Sequence, residues 1–497
     1  MSRQGKESLM DKASLRRELG LLHATMLGIG GALCAGVFVM LGHAASLAGT
    51  AIIFALLLCG IINLFTMCSY AELGTAIPMA GGEYTFAKVA FGGFVAFITG
   101  WFEWISNMFY AALCAVGSAY IISYFIPVNI PFTAILMVIL FTAVNIRGVK
   151  EAGTTEVIMM VALLAMLAVY ILGGFLYGPR TDALQISMPG GVWGVIQATA
   201  YIFVVYLGAE AIAVAQAEIK SPGKTIPRAI MLSAVVLIVV YTIIAYVTVR
   251  AVSPEVLGEK AAPLSFAAEQ IMGGFGAILI TIAGMIAALS SLNTSIMAQS
   301  RVAYALSRDG YFPKALLKIH ERFGTPHLAV IVSSIFTGAL AATGVVDFVG
   351  YATDFGFIIG FSLVNLSLIK LRRKKPRLER PFKAPLYPFT PIAGVVTSLM
   401  LLAFIDVGVL TLGAELTILA LLAYHIRMVG YYRVRVAFGG ISLGIGGFTL
   451  LLAYLIRTGF IVLPGMLSPW TTTLFYGLVC VSTIYVLAGV LNITAKA

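Results

Sequence analysis

Residues Leu27 to Gly42 read Leu-Gly-Ile-Gly-Gly-Ala-Leu-Cys-Ala-Gly-Val-Phe-Val-Met-Leu-Gly, inside an apolar run long enough to cross a bilayer. Gly28, Gly30, Gly31 and Gly36 crowd one short piece of it. A membrane helix satisfies its own backbone hydrogen bonds, so such a cluster marks either a close helix contact or a place where the helix opens. Gly28, Ala32 and Gly36 form a small-residue stripe suited to packing, but Gly30, Gly31 and Ala35 exceed what one face needs, which favours opening. An opened helix exposes N–H and C=O groups at membrane depth, where they can bind a small charged solute.

The surrounding chain supports a membrane setting. Its 497 residues are 60% hydrophobic and 11% charged, more apolar than one soluble core can bury. About 20 apolar residues per span gives fourteen predicted helices, starting near Leu21, Thr50, Phe94, Pro131, Val157, Trp193, Ile230, Phe275, Leu328, Phe348, Pro391, Leu412, Val434 and Pro469. With the N-terminus inside, all of the 32 Lys and Arg except Arg180, Arg250, Lys260 and Arg457 fall on the inner side. Both termini are then cytoplasmic. The net charge of +11 needs no nucleic-acid partner. Cys34, Cys59, Cys68, Cys114 and Cys480 lie in apolar runs without metal-ligand spacing and read as small hydrophobes. The polar, charged first twenty residues precede a full-length span, so no cleavable signal peptide is expected.

The sixth helix carries the other mid-membrane interruption, Tyr206-Leu207-Gly208-Ala209-Glu210. First and sixth helices are separated by five, an odd number, so the second set of five enters from the opposite side as an inverted repeat of the first. Interrupted helices at matching positions of two inverted halves are the best sequence pointer to a transporter's central site. The expected organisation is a cytoplasmic tail (1–20), a first five-helix repeat (21–177), a second inverted repeat (178–370), a basic cytoplasmic loop (371–390) and four peripheral helices (391–497).

If the first helix opens at Ala32 and Leu33, its outer half presents the N–H groups of Cys34, Ala35 and Gly36 at a positive dipole end suited to a carboxylate. Its inner half ends in carbonyls near Ile29 and Gly30, and a sixth-helix break adds those of Val204, Val205 and Leu207. Together they describe a receptor for a zwitterion, chiefly an α-amino acid. Glu210 reads either as a functional ionisable group or as a cap for broken-helix N–H groups. Glu72 and Glu103, near inner helix ends, are expected to face water or pair with basic loop residues. In the eighth helix, Ser290 and Ser291 read as helix-packing hydroxyls or as oxygen ligands for a coupling cation.

Several stretches resemble the amino acid–polyamine–organocation (APC) superfamily of permeases. They are Gly-Ile-Gly-Gly-Ala-Leu-Cys-Ala-Gly-Val-Phe (28–38), Tyr-Ala-Glu-Leu-Gly-Thr-Ala-Ile-Pro-Met-Ala-Gly-Gly-Glu-Tyr (70–84), Ala-Glu-Ile-Lys-Ser-Pro-Gly-Lys-Thr-Ile-Pro-Arg-Ala-Ile (217–230), Arg-Val-Ala-Tyr-Ala-Leu-Ser-Arg-Asp-Gly-Tyr-Phe-Pro (301–313) and Arg-Pro-Phe-Lys-Ala-Pro-Leu-Tyr-Pro (380–388). The resemblance implies an all-α polytopic LeuT-like fold, alternating access, and a substrate held by backbone at the first and sixth helix breaks. Carried over, the carboxylate-binding positions are Leu33, Cys34, Ala35 and Gly36, and the amine-binding carbonyls those of Ile29, Val204, Val205 and Leu207. The fourteen-helix count resembles the cationic amino acid transporter branch.

Three departures from the family pattern stand out. Cys34 replaces a usual glycine. Small residues, Val204 and Ala209, replace two usual sixth-helix aromatics, which either widens the pocket or leaves Phe203 or Tyr206 to gate it. Leu163 occupies the position of the fifth-helix lysine that fills the cation site in proton-linked members.

The expected function is thus a plasma-membrane amino acid permease; the alternative is an amine or polyamine transporter or exchanger of the same fold. No catalytic constellation, metal site or cofactor is expected, so the chain does not read as an enzyme. Its partners are the small-molecule amino acid and the lipid bilayer. The coupling ion, H+ or Na+, and any accessory subunit stay open.

Overall fold

The computed structural model describes residues 19–77, 81–147, 152–177, 186–214, 216, 219–428, 433–458 and 471–494. Most of the predicted tail, parts of the motifs at 70–84 and 217–230, and the start expected at Pro469 lie outside these residues. The described chain is helical, and ten of its helices are long and apolar enough to cross a membrane.

The first predicted span is two helices, α1 (Leu21–Ala32) and α2 (Ala35–Ala48). Leu33 and Cys34 leave the helical region between them, at φ −69°, ψ 79° and φ −100°, ψ −178°. The chain continues through α3 (Ile52–Ala76), the short α4 (Gly82–Phe91), α5 (Gly93–Ser123), α6 (Ile130–Arg147) and α7 (Ala152–Tyr177). The sixth predicted span opens as α8 (Gly191–Ile202), tightens into a 3-10 turn over Phe203–Tyr206, then becomes extended at Leu207. Gly208 follows at φ 111°, a conformation that glycine adopts without steric cost. The short α9 (Ala211–Val214) resumes the helix.

Helix α10 (Pro222–Ala251) starts eight residues before the expected Ile230. Pro222 at its first turn has no N–H to leave unpaired, so the polar stretch before the apolar run is helical as well. After α11 (Pro254–Gly258), α12 runs over Pro263–Arg308 with a turn at Gly273 (φ 64°, ψ −156°), which puts the long helix near the expected Phe275. Then come α13 (His327–Ala341), α14 (Val346–Lys374), α15 (Phe389–Leu402), α16 (Val407–Met428), α17 (Arg433–Arg457) and α18 (Thr471–Thr494). Helix α14 continues to Lys374, so part of the basic stretch expected as loop is helix.

The chain divides into two compact units, Met1–Ala305 with Ala315–Ile405, and Leu306–Lys314 with Asp406–Ala497. In the first, large side chains from α2, α3, α5, α10 and α14 are fully buried, among them Phe38, Tyr70, Phe97, Tyr241 and Phe357. Glu72 is completely buried there, as the acceptor for Arg372 (Nε to Oε1 2.8 Å, Nη2 to Oε2 2.5 Å), Arg380 (Nε to Oε1 3.1 Å) and the Ala384 N–H (2.7 Å). That fork of guanidinium groups ties α3 to the last turn of α14 and the basic segment following it, the kind of pairing expected of Glu72. Leu19 and Ile219 form a parallel bridge that holds the entry to α1 against the segment after α9. In the second unit, Tyr311 stacks on Tyr424, and Ser482 of α18 donates to the Gly446 carbonyl of α17 at 2.7 Å.

Candidate functional site

The two interruptions touch through their backbones. A Cβ on Gly208 would stand 2.6 Å from the Ala32 nitrogen, and one on Gly31 would stand 3.0 Å from the Gly208 carbonyl carbon. Glycine at both positions is what allows the contact. Gly28 packs on Ile212 and Ser233, and Gly30 on Met160 and the Glu156 carboxylate, so the cluster serves close packing and opening together.

Opening a helix frees carbonyls that must find donors in a medium without water. Two tyrosines bridge the breaks. Tyr110 of α5 donates to the Gly31 carbonyl (2.7 Å) and the Leu207 carbonyl (3.2 Å). Tyr241 of α10 donates to the Ala32 carbonyl (3.0 Å) and the Val205 carbonyl (2.9 Å). Ser291 of α12 donates to the carbonyls of Gly30 (2.9 Å), Gly31 (3.3 Å) and Leu33 (3.3 Å). Of the remaining expected amine-binding carbonyls, that of Ile29 accepts from the Leu33 N–H and that of Val204 from the Leu207 N–H. Each therefore already has one donor, and a carbonyl retains a second lone pair for another.

The expected carboxylate cradle is likewise engaged. The Gly36 N–H donates to Cys34 Sγ at 3.1 Å, and the Cys34 N–H to the Ala32 carbonyl at 2.8 Å. Cys114 of α5 stands against Cys34 and the Ala35 amide. The departure at Cys34 thus puts a weak sulfur acceptor on the half-helix N–H groups, where it caps α2. A carboxylate forms stronger, charge-assisted bonds with such N–H groups than a thiol does.

Phe203 and Tyr206 are fully buried, but neither lines the cavity at the breaks. Phe203 packs edge-on against Phe361, and Tyr206 donates to the Leu56 carbonyl at 2.9 Å while its ring meets Tyr241. The aromatic walls are Tyr110 and Phe357 instead. The cavity encloses about 20 Å3, enough for one water-sized group and too small for an amino acid, so the chain is closed around the breaks.

Glu210 accepts from the Gly208 N–H with both carboxylate oxygens, at 2.8 Å each, which is the capping geometry. Two more carboxyl groups share its cavity. Glu83 accepts from the Tyr70 hydroxyl, and Glu103 from the Tyr84 N–H at 3.2 Å. The expectation that Glu103 faces water or a basic loop is corrected: it is 5% exposed, because α4 folds back over the start of α5 and closes it off.

Ser290 donates to Glu156 Oε1 of α7 at 2.5 Å. Leu163 is buried on α7, and the carboxyl on the described part of that helix is Glu156, two turns earlier on the same face and beside Gly30. Tyr110, Tyr241, Glu83 and Glu156 were not singled out from sequence. For the tyrosines the available signal was a hydroxyl inside an apolar run, whereas Glu83 lies in the polar stretch 81–85 and Glu156 just ahead of the fifth apolar run, and only the fold selects the groups that meet the breaks.

A family model described as "Amino acid permease" matches residues 19–424. An uncharacterized transporter of Mycobacterium tuberculosis is 30% identical over 423 residues, 85% of this chain and 93% of that protein. A branched-chain amino acid permease of Bacillus subtilis is 28% identical over 412 residues, covering 78% and 88% of the two chains. The human cystine/glutamate transporter is 28% identical over 441 residues, covering 84% and 87%.

Proposed function

The chain belongs to the amino acid permease family and is a multi-pass membrane transporter rather than an enzyme, and from that premise we propose that it carries amino acids across the plasma membrane by alternating access. The observation that carries this reading is the backbone contact of Gly31 with Gly208, bridged on both sides by Tyr110 and Tyr241. Rocking one helix set against the other would part that contact. The α-carboxylate then replaces Cys34 Sγ on the N–H groups of Ala35 and Gly36, with Leu33 and Cys34 shaping the turn around it, and the α-ammonium takes the free lone pairs of the Ile29, Val204, Val205 and Leu207 carbonyls. The organisation proposed with it is a LeuT-like pair of inverted five-helix repeats (21–177 and 178–370), fourteen spans in all, a cytoplasmic loop at 371–390, peripheral helices over 391–497 and both termini in the cytoplasm.

The test is uptake of radiolabelled amino acids, across a panel of side chains, into proteoliposomes holding the purified chain. Accumulation or exchange of at least one amino acid is expected. Neither, in protein whose cooperative thermal unfolding shows it is folded, would defeat the reading.

The sulfur already seated on the Gly36 N–H favours a second reading, transport of an amine or polyamine without a carboxylate. It requires that decarboxylated ligands compete as well as their parent amino acids. For coupling, we propose a cation, H+ or Na+, near Ser290, Ser291 and Glu156, where hydroxyls, helix-1 carbonyls and a carboxylate meet. Separate pH and sodium gradients on the same vesicles distinguish the two ions, and accumulation under neither would remove both.

A further inference from the structure

Gly31 and Gly208 line the helix breaks and, on one side, the small cavity that also holds Glu83, Glu103 and Glu210. The remaining lining is Asn107, Tyr110, Ala211, Thr294, Ser295, Ala298 and Phe357, so among the described residues no Lys, Arg or His contributes to it. Each carboxyl has a neutral donor: the Tyr70 hydroxyl for Glu83, the Tyr84 N–H for Glu103 and the Gly208 N–H for Glu210. Glu83, only 2% exposed, keeps its Oε2 without a hydrogen-bond partner among the described residues. The contrast with Glu72 is direct, since that buried carboxylate is met by two guanidinium groups.

Buried carboxylates without a cationic partner are costly, and the cost is offset when a cation enters among them. The volume, about 20 Å3, suits one ammonium-sized group. Its position beside the breaks matters as much as its charge, because a substrate whose α-amino acid part lies on the breaks extends its side chain past Gly31 and Gly208 into this space. We infer that the cavity is a side-chain subsite for a cationic group, so that the substrates include α-amino acids bearing a second, terminal ammonium group. Glu103 and Glu83 receive the charge. Glu210, already committed to the Gly208 N–H, fixes the wall beside them.

This inference rests on the amino acid transport reading, and the experiment separates the two. Full-length protein in proteoliposomes is given radiolabelled lysine, with unlabelled lysine, ornithine, norleucine and cadaverine as competitors. Norleucine matches lysine in chain length but lacks the terminal charge, and cadaverine has the charge but lacks the carboxylate. Lysine and ornithine are expected to compete at least tenfold better than norleucine, in line with a charge-assisted hydrogen bond. Cadaverine is expected to compete more weakly than lysine.

In Glu103→Gln the lysine-to-norleucine ratio falls at least tenfold, and lysine no longer raises the melting temperature of the detergent-solubilised protein. Equal competition by lysine and norleucine in the wild-type chain overturns the subsite without needing any variant. So does a Glu103→Gln protein that unfolds cooperatively and keeps the wild-type ratio. Uptake of norleucine with exclusion of lysine would also defeat the subsite, leaving amino acid transport standing. Absence of uptake for every amino acid would defeat the transport reading itself.

Discussion

The two sides of the crossing between the broken helices differ in chemistry. On one, the thiols of Cys34 and Cys114 meet the α2 half-helix and the Tyr241 hydroxyl meets the last carbonyl of α1. On the other, beyond Gly31 and Gly208, three glutamates crowd one water-sized space. Backbone N–H and C=O groups are the same for every chain that opens its helices in this way, so the first side suits the parts that all amino acids share. Side chains differ from protein to protein, and the carboxylate side is where selection among substrates can be written. Under the proposed function, general recognition and discrimination occupy opposite faces of one backbone contact.

The change expected to break this comparison most completely is Gly36→Leu. A Cβ there already meets Val205 Cγ1 and Cys34 Sγ at 3.1 Å, so a larger side chain fills the shared cradle. Uptake of neutral and cationic amino acids alike should fall to background in the proteoliposome assay. Survival of either class at wild-type rate would show that the cradle is not shared.

Next in size is Glu210→Ala, which leaves the Gly208 N–H buried and unpaired, at a cost of about 1–3 kcal/mol. A lower melting temperature and slower transport of every substrate are expected. A loss confined to cationic substrates would move Glu210 from positioning to direct recognition. Smaller still is Tyr241→Phe, which removes one donor shared by the carbonyls of Ala32 and Val205, a loss of about 1 kcal/mol. Denaturation in detergent should register it, and an unchanged midpoint would mean that another donor takes its place.

The smallest effect is expected from Cys34→Gly. Removing the sulfur frees the Gly36 N–H for a carboxylate, so KM should fall by about two- to tenfold, equivalent to roughly 0.5–1.5 kcal/mol for a hydrogen bond. Lysine and norleucine should gain equally, because the sulfur lies on the shared side. A raised KM for both would show that the thiol itself holds the substrate.

Much of this arrangement was legible along the chain. Glycine clustering within an apolar run marked Ala32 and Leu33 as the first break, and Tyr206 to Glu210 in the sixth span marked the second, because helix interruption is a local backbone property that composition betrays. Helix boundaries were less legible where polar residues continue a helix past its apolar stretch, as in the first two turns of α10 and the last turn of α14. Leu163 is the instructive case at the site. The family pattern puts charge at one position, whereas the face of α7 turned toward Gly30 carries Glu156 two turns away.

By itself, then, the sequence determined a many-spanning helical transporter, the two breaks, and a direction in the membrane expected from its basic residues. These follow from hydropathy, glycine content and charge distribution, all of which act locally. Only the tertiary structure decided which carboxyls meet. Glu72 and Glu103 look alike on a sequence line, each near the end of an apolar helix. Folding gives Glu72 two arginines drawn from the segment around α14, and leaves Glu103 beside Glu83 and Glu210 with no cation among the described lining residues. Electrostatic partnership depends on distances across the fold, and residues tens to hundreds of positions apart acquire those distances only when the helices pack.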